Sequence, residues 1–180
     1  MNAARMTIRI AVAVGFAMTL AACGDKKTDC SSSPTAPGCS PPPTTQPAQV
    51  RSVIASGNCS GLDVNFLCFF DPFTTSQKGD LDITVDWTFP ESNIQVMVSS
   101  GICTLDQING GQCTFITSSL AANTPKPRVL TVKAVAAGSY TLYVGNRGPK
   151  SESVSAQIGL TTPGSASSTV SRLSGRAYRF

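Results

Sequence analysis

Residues 80–88 read Asp-Leu-Asp-Ile-Thr-Val-Asp-Trp-Thr. Leu81, Ile83, Val85 and Trp87 alternate with Asp80, Asp82, Thr84 and Asp86. A period of two places the first set on one face of an extended chain and the second on the other, which describes a strand buried on one side and wet on the other. Such a strand needs neighbours to complete its backbone hydrogen bonds and a second layer to cover its apolar side. The chain supplies candidates at 49–55, 63–70, 94–99, 112–117, 128–135, 139–145 and 154–161. Turn residues separate them, among them Pro90-Glu91-Ser92-Asn93, Asn109-Gly110-Gly111 and Ala136-Ala137-Gly138. No stretch beyond the N-terminal segment has helical periodicity. Eight short strands with turns between them predict an all-β antiparallel sandwich over residues 50–162.

Composition agrees and excludes chemistry. Val, Ile, Thr and Ser are plentiful, and helix-forming Glu and Lys are scarce. The 180 residues contain no histidine. That removes the commonest general base near neutral pH, His-containing zinc sites, and Ser-His or Cys-His catalytic pairs. No G-x-S-x-G elbow, G-x-G-x-x-G turn or phosphate loop occurs. The sequence therefore predicts a protein that is not an enzyme, and assigns no catalytic residue.

Residues 1–9 carry Arg5 and Arg9 and no acid, and Ile10–Leu20 is an apolar run of 11. That is too short for a spanning helix and fits the core of an export signal. Leu20-Ala21-Ala22-Cys23 resembles the lipobox of bacterial lipoproteins. The resemblance implies a signal peptide at 1–22, cleavage before Cys23, and lipidation of Cys23 by a thioether-linked diacylglycerol with a further acyl chain such as palmitate. Several acyl chains make a firm bilayer anchor. Gly24 rather than Asp follows the cysteine, which implies the outer membrane, facing periplasm or cell surface. Without residues 1–22 the excess of bases over acids falls from +4 to +2, too little to suggest nucleic acid as a partner. Residues 23–49 are rich in Pro, Ser and Thr and read as a lipidated tether reaching roughly 80 Å when extended at about 3.1 Å per residue.

Two segments carry a second resemblance. Gly79-Asp80-Leu81-Asp82-Ile83-Thr84-Val85 and Ala137-Gly138-Ser139-Tyr140-Thr141-Leu142-Tyr143-Val144-Gly145-Asn146 are similar to the strand motifs of the prepeptidase C-terminal (PPC-like) domain. The resemblance covers about residues 50–162 and implies a small jelly-roll-like β-sandwich acting as a binding or accessory module. That family usually follows a catalytic domain, and these 180 residues are not expected to include one. Tyr140, Leu142 and Val144 share one face and are expected in the core.

With Cys23 assigned to lipid, Cys30, Cys39, Cys59, Cys68, Cys103 and Cys113 remain. An even count in an exported chain predicts disulfides. Fifteen connectivities are open, and spacing favours 30–39, 59–68 and 103–113. No C-x-x-C pair is present to support zinc. Asp80, Asp82 and Asp86 line one strand face. Calcium would relieve their repulsion, and the plainer reading is a solvated face opposed by Lys or Arg. Trp87 is expected in the core. In Cys68-Phe69-Phe70-Asp71-Pro72-Phe73 not every ring can point inward, so Phe69, Phe70 and Phe73 are candidates for an exposed contact surface. Residues 163–180 lose the pattern and read as a basic tail bearing Arg172, Arg176 and Arg179. The functional expectation is a membrane-anchored envelope lipoprotein with a non-catalytic module for polysaccharide, peptidoglycan or an envelope protein. The alternative is a structural or assembly subunit acting through protein contacts; a hydrolase ranks below both.

Overall fold

The alternating segment forms β4 (Gly79–Trp87), with Leu81, Ile83, Val85 and Trp87 buried and the residues between them half-exposed. The computed structural model describes residues 47–119, 125–164 and 169–179. The chain divides into two units, Met1–Thr45 and Gln46–Phe180, and every described residue belongs to the second.

Around β4 lie β1 (Gln49–Leu62), β2 (Phe66–Phe70), β3 (Phe73–Thr75), β5 (Ile94–Ser100), β6 (Phe115–Ser119), β7 (Arg128–Val135), β8 (Gly138–Asn146), β9 (Glu152–Pro163) and β10 (Ser171–Arg179). A short helix, α1 (Leu105–Asn109), sits between β5 and β6. The strand order is β6-β5-β8-β2-β10-β1-β9-β4-β7, with β3 also on β8. The fold is all-β, and its sheet is closed or nearly closed. Strands β1, β9, β4 and β7 form one layer; β6, β5, β8, β2 and β3 form the other.

The two layers are joined through β10. Its first half, Ser171–Ser174, runs parallel to Ala55–Asn58 of β1. Its second half, Gly175–Arg179, runs antiparallel to β2. Two expectations are corrected here. The segment read as a basic tail contains a strand inside the sheet, and one strand pair is parallel. Both follow from the same geometry: β1 and β2 diverge, and a late strand fills the gap and satisfies the backbone groups of both.

The inner faces pack into one core that includes Ile54, Leu62, Phe70, Phe73, Ile83 and Leu142. Tyr140, Leu142 and Val144 are in it, as expected. A smaller apolar cluster of Leu67, Met97, Cys103 and Tyr143 lies on the opposite face of the β2–β8–β5 layer. Leu105 and Ile108 of α1 pack over it. Strands β5 and β8 are thus buried on both faces. That accounts for the continuous apolar run Val96-Met97-Val98 where a half-buried strand would alternate.

Candidate functional site

The outward side of the β10–β1–β9–β4 layer is polar, and pairing register fixes its layout. Ser56 lies opposite both Arg172 and Gln157, and Gln157 lies opposite Thr84. One step along, Asn58 pairs with Ser174 and Ser155, and Ser155 with Asp86. Strands about 4.8 Å apart thereby carry two parallel rows of polar side chains across the sheet. Over these rows lies a depression of about 550 Å³. Gly57, Ala156 and Leu173 contribute to its floor. A second depression, about 320 Å³, adjoins it and adds Ser60, Thr88 and Ser153. The two share Asn58, Asp86 and Ser155 and so form one groove. Gly57 lets β1 and β10 approach closely beneath it: a Cβ there would lie 2.4 Å from the carbonyl oxygen of Leu173.

The three aspartates of β4 do not converge. Asp80 accepts from Lys133 Nζ at 2.8 Å and from the backbone N–H of Ala134 at 2.9 Å. The hydrogen bond from Lys133 is the main influence holding the Asp80 carboxyl below its ordinary range, and Asp80 in turn raises the Lys133 ammonium. Ala134 has a positive φ of 54° beside a break in the β4–β7 register, so Asp80 ties down an irregular N–H. Asp82 accepts from Thr131 Oγ1 at 2.8 Å and from Arg51 Nε at 3.3 Å. Asp86 lies 3.3 Å from Lys126 Nζ. Each carboxylate has its own cation, and among the described residues no group of three potential ligands could hold a metal.

The aromatic candidates separate. Phe70 and Phe73 are 2% and 1% exposed and belong to the core, so neither can form a contact surface. The chain bends at Asp71-Pro72, and both rings reach the same interior from successive strands. Phe69 points the other way and meets Tyr143 and Tyr178 edge-on at 5.0 and 5.1 Å. With Ile102, Leu105 and Tyr178 it lines a depression of about 260 Å³. Ile102 and Tyr178 are 67% and 43% exposed. Trp87 is core, 3% exposed.

Disulfides join Cys59 to Cys68 and Cys103 to Cys113. The first ties β1 to β2 across the gap that β10 fills. The second closes the loop carrying α1. Cys23, Cys30 and Cys39 lie outside the described residues, as do the signal and nearly all of the tether.

Sequence reasoning missed α1 and the groove residues on β1, β9 and β10. Thr104-Leu-Asp-Gln107 is a capping-box signature, with Thr104 Oγ1 accepting from the Gln107 N–H and Gln107 Oε1 from the Thr104 N–H. The groove carried no readable signal, because short polar side chains from strands distant in sequence meet only through register. Compared with protein-family models and with curated proteins, the chain matches none.

Proposed function

We propose that the protein is an envelope lipoprotein, acylated at Cys23 and tethered through residues 24–49, whose PPC-like β-sandwich is a non-catalytic binding or accessory module. The supporting observation is the groove across β10, β1, β9 and β4. It presents hydroxyl and amide groups from β1, β9 and β4 and the Arg172 guanidinium from β10, and side chains held on a sheet are placed more firmly than on loops. Polysaccharide or peptidoglycan suits such a surface, since its hydroxyls both donate and accept. Purified protein applied to a glycan array is expected to bind, and Asn58→Ala with Gln157→Ala to abolish the signal. Retention of every signal in that double variant would remove the groove from the reading. Cys23→Ser is expected to abolish labelling by a palmitate analogue; a still-labelled, membrane-held variant would overturn the anchor.

A second reading, a subunit acting through protein contacts, is favoured by the depression beside Ile102 and Tyr178. Exposed apolar side chains clustered against an aromatic ring are typical of protein interfaces. Ile102→Asp is expected to abolish co-purification of a partner on this reading and to leave glycan binding intact.

A further inference from the structure

We infer that the groove takes a linear anionic polysaccharide and that Arg172 recognises its acidic group. The inference rests on the binding-module reading and adds the ligand's charge and shape.

Shape comes from the joined depressions, which run along the strands from Ser56 and Arg172, past Asn58, Asp86 and Ser155, to Ser60 and Ser153. An elongated groove of this kind admits an unbranched chain. Charge comes from β10. The Arg172 side chain has neither an ion pair nor a hydrogen-bond partner among the described residues. A guanidinium presents its donors in a planar fork that fits a carboxylate. The other ionic group of the groove, Asp86, is held by Lys126, and Arg51 and Asp82 satisfy each other nearby. The groove therefore has one uncompensated charge, and it is positive.

A sugar polymer fits better than other anions for two reasons. All four strands beneath the groove have neighbours on both sides in the sheet order. No backbone N–H or C=O row is open there for an added peptide strand, so recognition depends on side chains. The apolar side chains beneath the groove, Ala156 and Leu173, are 5% and 6% exposed, leaving no surface for an acyl chain. Hydroxyl and amide groups surrounding a single guanidinium match a chain of hydroxyls bearing periodic carboxylates.

The experiment measures binding of the purified full chain to polygalacturonate, neutral dextran, poly-L-glutamate and phosphatidylglycerol vesicles. Polygalacturonate is expected to bind, and more weakly as salt rises. Arg172→Ala is expected to weaken it about tenfold or more, as for loss of a charge-assisted contact. Asn58→Ala should weaken it a few-fold, and Arg179→Ala should leave it unchanged. Melting curves on each variant separate lost binding from lost folding. Unchanged affinity in Arg172→Ala overturns the inference. So does poly-L-glutamate binding as tightly with the same Arg172 dependence, or binding confined to the vesicles. Dextran bound as tightly as polygalacturonate, with loss in Asn58→Ala, removes the acidic requirement and leaves the module a glycan binder. A folded protein that binds no probe overturns the inference, while the array test above decides the broader reading.

Discussion

Gly175 sits where β10 passes from one layer to the other, directly over the Cys59–Cys68 bridge. A Cβ there would lie 2.6 Å from Cys68 Sγ and 2.7 Å from Cys59 Cβ. Gly175→Ala is therefore expected to destabilise by about 1–3 kcal/mol, the usual result of overpacking, read as a lower melting midpoint. Tyr143 works at the same scale. Its hydroxyl accepts the N–H of Cys103 at 2.7 Å and shares a hydrogen bond with Ser99 Oγ at 3.2 Å. Tyr143→Phe leaves a buried donor without its acceptor and should cost about 1–3 kcal/mol. Asp80 gives a pH signature. Its pKa is lowered in the folded state, so its contribution is present above the unfolded carboxylate pKa of about 4 and is lost as pH falls through the lower folded value. The difference in melting midpoint between the protein and Asp80→Asn should hold steady from about pH 7 to 5 and shrink below about pH 4. A difference that grows on acidification would contradict the Lys133–Asp80 account.

Among the elements, strands dense in large apolar side chains were readable, whether they bury one face, as β4 does, or both, as β5 and β8 do. β4, with four apolar residues at alternate positions, was readable to within a residue. β7, expected at 128–135, has those bounds, and β9, expected at 154–161, runs two residues further at each end. β10 was not. Its inward positions are Leu173, Gly175 and Ala177; two of the three are small, and at Gly175 the disulfide occupies the space that a side chain would fill. The packing that makes the strand indispensable thus erased its periodicity. In the loop of α1, the capping residues were visible but five helical residues give no periodic signal. Here the disulfide and Tyr143 supply what helix propensity does not. Replacing Cys103 and Cys113 by Ser is expected to cost about 2–3 kcal/mol, as for a short closed loop. Hydrogen exchange should rise over 101–113 while the β1, β4 and β9 amides stay protected. Uniform loss of protection would mean that this loop organises the sheet rather than covering it.

Across the whole domain, charge is unevenly spread. Arg172, Arg176 and Arg179 stand on one strand with no acid beside them in sequence, whereas four of the other bases are paired with acids. The groove lies beside the first half of that strand and the apolar depression beside its second half, so each layer carries its own surface next to β10. Removing residues 165–180 is expected to abolish cooperative unfolding, because β1 and β2 would face each other across an unfilled gap. A truncated chain that still melts in one sharp transition would show β10 to be dispensable. The position of β10 has a consequence for time as well as for stability. Its parallel partner β1 lies almost the whole length of the domain earlier in sequence, so the central pairing of the sheet cannot form while the chain is still emerging. Contacts of that separation form slowly. A chain with this topology stays open and threadable until its late residues are available, and only then closes into a barrier to proteases.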